Sequence, residues 1–211
     1  MDEIAAELSL QGLLDAVAAR TTAPGGGVVA GIVAALAGAL CGMCARFSAG
    51  DQDRLVLRAD ELRARAASLS QSDPAVYADY VRARRSGRDV DIAAALDEAI
   101  RIPLEMAEVA AELAVLALGL ARSGNPNLRG DATVAVLMGV AAARSGAALV
   151  CENLAGTGTG TVSDRRLARA AAIVASVDAA ERDVLLFYPV LTAQGATGSM
   201  INAGARRSRR D

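Results

Sequence analysis

Lysine and histidine are both absent from this 211-residue chain, and all 22 of its basic side chains are arginine. Tryptophan is missing as well, and aromatic residues make up only 2% of the sequence. Without lysine there is no Schiff base to pyridoxal phosphate or a carbonyl substrate, and no phosphate-loop lysine. Without histidine there is no Ser-His-Asp triad and no histidine metal site. Acid and base chemistry therefore falls to Asp, Glu, Tyr, Cys or water, and neither a metal nor a cofactor is expected.

Cysteine is scarce. Cys41, Cys44 and Cys151 form an odd set, and no stretch reads as a secretory leader, so the chain suits a reducing cytoplasm. The Cys41-x-x-Cys44 spacing is that of redox pairs. It lies inside an apolar helical run, however, away from any helix N-terminus that would stabilise a thiolate, so buried inert thiols are expected.

What the chain has in quantity is apolar residues, at 53%, with 24 acidic side chains against the 22 arginines. A chain of this length buries roughly 70% of its unfolded surface in one core and needs no disulfide or metal to fold. A single domain over residues 1–194 is expected, followed by a disordered arginine-rich tail over 195–211 that ends Arg206-Arg207-Ser208-Arg209-Arg210-Asp211. Four arginines sit in that tail, so the body of the chain is clearly acidic. With no aromatic stacking platform and no basic stripe on a helix, nucleic acid is not an expected partner.

Apolar residues recur at three and four spacing almost throughout, with abundant Ala, Leu and Arg and few β-branched alternations. The pattern predicts an all-α, single-domain bundle of seven helices, near 3–20, 28–48, 52–70, 74–86, 91–121, 131–154 and 164–193. Ala23-Pro24-Gly25-Gly26-Gly27 breaks the first pair, Ser72-Asp73-Pro74 offers a cap followed by proline at the first helical position, and Ser123-Gly124-Asn125-Pro126-Asn127 ends the fifth helix. Pro103 falls within a helix, where it should cause a kink or leave a carbonyl near residue 99 unpaired. Glu105, Glu108 and Glu112 follow on one stripe, as a solvated face or as a carboxylate turned into a cleft. Gly156 to Thr161 alternates Gly and Thr and reads as a flexible loop.

Val28 to Ala45 is uncharged over 18 residues, long enough to consider as a membrane span, and contains Gly38-x-x-x-Gly42. Ala and Gly dominate it, no Trp or Tyr belts its ends, and Arg20 and Arg46 flank it. It reads instead as an Ala/Gly-rich helix at the centre of the bundle, without a membrane partner. The three glycines before it invite a phosphate-loop reading. No strand precedes them and no Gly-Lys-Ser/Thr follows, so they serve equally as hinges of positive φ and as points of close packing.

Ala19-Arg20-Thr21-Thr22-Ala23-Pro24-Gly25-Gly26-Gly27 followed by an Ala/Gly-rich helix resembles the opening of the formiminotetrahydrofolate cyclodeaminase and methenyltetrahydrofolate cyclohydrolase family. Further matches follow in order. Asp73 with Tyr77 and Tyr80 resembles its Asp-x-x-x-Phe/Tyr stretch, and Ile102-Pro103-Leu104 its Val-Pro-Leu. Gly124-Asn125-Pro126-Asn127 with Asp131 resembles its Gly-Asn-x-Asn and Ser-Asp pair, and Asn153-Leu154 its Asn-Leu. The resemblance spans roughly residues 8–190 and implies an all-α fold, a homodimer and a folate cleft. The chain departs from the family at Val28, Gly130 and Leu149, where a polar side chain is usual. Three lost hydrogen bonds would cost roughly 2 to 4 kcal/mol of binding or turnover. Alternatively these positions have drifted in packing.

The reactions that the resemblance implies need proton transfer at a carbon already activated by nitrogen, with a tetrahydrofolate derivative as substrate. One positioned carboxylate acting as base and then acid supplies about 10²- to 10⁴-fold. Asp73 is the first candidate, with Tyr77 one turn on as a positioning hydroxyl or ring; an ordinary helix N-cap is the plainer role. Asp131, at a helix start, suits anchoring a donor-rich heterocycle edge. Asn125 and Asn153 each offer donor and acceptor to orient a ring, with turn chemistry and a helix C-terminal carbonyl contact as their respective plainer roles, and Gly25, Gly26 and Gly27 would form part of the substrate site. Two other functions remain open at this point. One is a cyclase of secondary metabolism on the same scaffold, acting on a less polar, polyketide-like substrate. The other is a non-catalytic helical subunit that binds a partner.

Overall fold

The computed structural model describes residues 9–50, 52–155 and 164–191. Among these there are six α-helices and no strands: α1 (Leu10–Ala18), α2 (Gly26–Arg46), α3 (Asp53–Ser86), α4 (Asp89–Ser123), α5 (Arg129–Ala155) and α6 (Arg165–Leu185), with short 3₁₀ turns at Pro126–Leu128 and Pro189–Leu191. The all-α bundle read from the periodicity is therefore the fold. The glycine-threonine stretch and the arginine-rich tail lie outside the described residues.

Helices α2, α3, α4 and α5 pack on one another, and α6 closes the outer side of α4 and α5. Alanine and glycine set the spacing. A β-carbon on Gly146 would stand 2.6 Å from the Pro103 carbonyl oxygen, and one on Gly139 would stand 2.9 Å from that of Ala110. With hydrogen there instead, α5 approaches α4 more closely than larger side chains permit. A core of Leu62, Leu69, Met106, Leu113, Val136, Val140 and Val177 fills the space between the layers. The long apolar helix α2 has the length and composition of a membrane span, yet 56% of its apolar window is buried inside the bundle. Its remaining face is open.

Two boundaries differ from the sequence expectation. The break at Ser72-Asp73-Pro74 does not exist, because α3 runs as one 34-residue helix through Pro74. Proline removes one backbone donor, but Leu69 and Ser70 before it are buried and Val76 after it packs on the core, so tertiary contacts carry the helix across. The last helix ends at Leu185 rather than near 193. Pro189 biases Tyr188 away from helical backbone, and the chain turns there instead.

The acidic stripe is an ion-paired surface. Glu112 pairs with Arg58, Glu105 with Arg65 and Arg101, and Glu108 with Arg169, tying α3 and α6 to α4. These pairs are largely exposed, so each contributes no more than about 1 kcal/mol. Cys41 and Cys44 are buried, as the spacing argument expects. Burial pushes the Cys41 thiol up to about 12 and raises that of Cys44, so neither is a thiolate at neutral pH.

Candidate active site

The loop before α2 and parts of four helices converge at one end of the bundle. The loop before α2 brings Thr22, Ala23 and Gly25, the first turn of α2 brings Gly26 and Gly27, the middle of α3 brings Asp73 and Tyr77, and the end of α5 brings Leu149 and Asn153. Ala99, Ile102 and Pro103 of α4 form the floor. Together they enclose a cavity of about 180 Å³. Ligand pockets usually offer about 300–1,000 Å³, so this one holds a single ring system while the remainder of a larger molecule stays outside.

Among the described residues Asp73 is the only carboxylate lining the cavity, and no arginine lines it. Among the described residues its carboxylate has no hydrogen-bond or ion-pair partner. Burial alone holds its pKa above the usual carboxylate range, since removal from water penalises the charged form. Asp73 is not the helix N-cap that its sequence context suggests, because it sits inside α3. With that plainer role removed, an unpartnered carboxyl facing a cavity is left for chemistry.

Gly27 makes the arrangement possible, since a β-carbon there would overlap the Asp73 carboxylate. Positive φ plays no part at this loop, where Gly25 is extended with φ −123° and only Gly50 and Gly87 take left-handed values among the described residues. Of the three glycines, close approach is required at Gly27 alone; around Gly26 there is open space. One turn beyond, Gly31 lies against Ser70, whose hydroxyl donates to the Val28 carbonyl at 2.9 Å and clamps α3 to the start of α2. Tyr77, about half exposed, follows Asp73 by one turn and borders the cavity.

Asn153 reaches the cavity from α5 and donates from Nδ2 to the Ala99 carbonyl at 2.7 Å. That carbonyl is the one that Pro103, lacking an N–H, leaves without its helical donor. The sequence pointed to the orphan carbonyl but not to the side chain that serves it, because the two are 54 residues apart.

Asn125 and Asp131 do not join this group within one copy of the chain. Asp131 lies in the first turn of α5 and Asn153 near its end, roughly 33 Å away at 1.5 Å per residue. The Asn125 side chain is spent on its own loop: Oδ1 accepts from the Asn127 amide and Nδ2 donates to the Phe47 carbonyl. Of the three positions that depart from the family pattern, only Leu149 lines the cavity. Val28 is fully buried in the core, and Gly130 stands in open space at the far end. Thr22 and Ile102, which lie within stretches that resemble the family, also line the cavity, as does Val76, which no motif marks.

A partly buried carboxyl without a partner among the described residues, beside an amide fixed by a backbone carbonyl at the end of an all-α bundle, is the kind of arrangement that general acid–base chemistry uses. The formiminotransferase-cyclodeaminase family profile matches residues 9–172, and the chain belongs to that family. It is 28% identical over 189 residues to a methenyltetrahydrofolate cyclohydrolase of Methylorubrum extorquens, covering 81% of this chain and 91% of that protein. It is 31% identical over 147 residues to the mouse formimidoyltransferase-cyclodeaminase, covering 61% of this chain but only 27% of that longer protein. The crystal structure of formiminotetrahydrofolate cyclodeaminase from Thermotoga maritima superposes with a TM-score of 0.77 at 27% identity, covering 85% of this chain and 95% of that one.

Proposed function

We propose that this enzyme acts on a one-carbon unit bridged between two nitrogens of tetrahydrofolate, with no metal or redox cofactor. The observation that carries this reading is the Asp73 carboxyl, which among the described residues has no partner and shares its cavity with no arginine. A carbon held between two folate nitrogens shares a positive charge with them, and a carboxylate without a competing cation stabilises that charge as the substrate enters. Asp73 then takes a proton from the attacking group, water in hydrolysis or a folate nitrogen in cyclodeamination, and returns it to the nitrogen that leaves. Tyr77 borders the ring, and Gly25, Gly26 and Gly27 let it approach the backbone of α2. The cavity volume fits the bicyclic head, with the rest of the molecule lying outside across Leu149.

The hydrolytic and deaminating directions share this equipment. Two assays separate them: loss of the methenyltetrahydrofolate chromophore, and ammonia release from formiminotetrahydrofolate. Turnover of either supports the reading; inertness toward both, in a folded protein that also fails to bind 5-formyltetrahydrofolate, overturns it. The likeness to enzymes named for folate substrates does not favour the cyclase and partner-binding readings.

A homodimer is part of the proposal. Val29, Val33, Leu36, Leu40, Met43 and Phe47 repeat at alternating spacings of four and three along α2, and all are at least partly exposed. Val134, Met138, Ala141, Ser145 and Ala148 repeat in the same way beside them on α5. Two uncharged seams of heptad spacing suit a second copy packed as in a four-helix bundle. Asn125 and Asp131 retain a proposed binding role only through such an assembly. A cytoplasmic setting, consistent with buried unpaired thiols, is also proposed.

A further inference from the structure

Pro103 lies in the middle of α4, where its ring removes the N–H that would otherwise serve the Ala99 carbonyl. Asn153 of α5 supplies the substitute through Nδ2 at 2.7 Å. The helices are close enough because Gly139, Gly146 and Asn153 stand one heptad apart on α5, with the two glycines against Ala110 and Pro103. An asparagine amide has two unlike ends. With Nδ2 against a carbonyl oxygen, Oδ1 is turned away from it; the reversed amide would set two acceptors against each other. Among the described residues, Asn153 Oδ1 has no hydrogen-bond partner. Ala99, Pro103, Asn153 and Asp73 all line the same cavity.

We infer that Pro103 is a positioning residue for ligand recognition. By leaving the Ala99 carbonyl without its helical donor, it pins the Asn153 amide with its oxygen free, so the cavity offers a bound ring an acceptor and reads an N–H or NH2 on that ring. An alanine at 103 would restore the helical N–H, and the Asn153 amide would then be free to turn either end toward the ligand. This inference rests on the folate reading for the identity of the ring, a reduced pterin with its N–H edge, but not for the Pro103–Asn153 relationship itself.

The test compares the wild-type chain with Pro103→Ala, Asn153→Ala and the double variant. In ¹⁵N-labelled protein, the Asn153 side-chain amide is assigned by its loss in Asn153→Ala. Its hydrogen-bonded N–H should stand apart from exposed asparagines in the wild type and move toward them in Pro103→Ala. With methenyltetrahydrofolate, Pro103→Ala should raise KM about 2- to 10-fold with kcat largely kept, the size of one oriented hydrogen bond. The same substitution should add nothing in the Asn153→Ala background. Unchanged amide signals in Pro103→Ala overturn the inference, as does a full Pro103→Ala penalty in the absence of Asn153. Wild-type kinetics in Asn153→Ala also overturn it, by reducing the contact to a prop for α4. If the wild type neither binds nor turns over folates, the folate reading fails, and the amide signals still decide whether Pro103 orients Asn153.

Discussion

The Asp73 carboxylate occupies the space that a side chain on Gly27 would need. A residue from the middle of one long helix thereby rests on the first turn of another. Burial leaves the carboxyl easier to protonate than a carboxylate in water. A carboxyl that protonates more readily than in water can give a proton as well as take one, which acid–base work requires.

Asp73→Asn keeps the shape and removes the proton shuttle. Turnover of methenyltetrahydrofolate should fall about 10²- to 10⁴-fold, with the circular dichroism spectrum unchanged. The stability effect should run the other way. A carboxyl whose pKa is raised in the folded state is protonated in both states below its ordinary pKa of 3.8, and it penalises the fold as pH rises through the raised value. Asp73→Asn should therefore melt at a higher temperature than wild type at neutral pH, with the difference narrowing as pH falls through the carboxylate range. A constant difference across that range would contradict the buried-carboxyl account.

Gly27→Ala tests the close approach. The new methyl group has to displace the carboxylate, so the protein should lose about 1–3 kcal/mol of stability. A nucleophile or base moved by about 1 Å commonly costs about 10²-fold, and the loss should appear in kcat. Gly26→Ala, with open space around it in the protein itself, serves as the control for stability and should melt like the wild type.

Leu36 stands 51% exposed in the middle of the α2 seam. A glutamate there should convert a dimer to monomers in sedimentation equilibrium without loss of helix signal, because the side chain has no role in the core of one copy. Dimers that survive Leu36→Glu, or a wild type that is monomeric at tens of micromolar, would remove the seam as the interface.

Thiol labelling should distinguish the cysteines. Cys151 is exposed and should react with a disulfide reagent in the native protein, whereas Cys41, buried and shifted to about 12, should react only on unfolding. Rapid labelling of Cys41 or Cys44 under native conditions would reveal an opening of the α2 core that the packing does not provide.

Much of the candidate site could be read from the sequence as residues, but not the setting in which the fold places them. Asp73, Tyr77, Asn153 and the three glycines do meet at one cavity. Ser72-Asp73-Pro74 is a strong local signal for a helix start, and only contacts on both sides of Pro74 override it. Asn125 carries the same motif strength as Asn153, yet it serves a turn, since each of its amide atoms finds a partner in the adjoining loops.

The sequence by itself determined that this chain is a helical bundle without lysine or histidine chemistry. Periodicity and composition are local properties, and each helix carries its own apolar face. The tertiary structure alone decided which polar groups meet. Whether Asp73 lies over Gly27, and whether Asn153 answers the carbonyl that Pro103 leaves open, depends on how closely α2, α3, α4 and α5 approach. That distance is set by small residues scattered over the chain, whose common effect appears only when the helices pack.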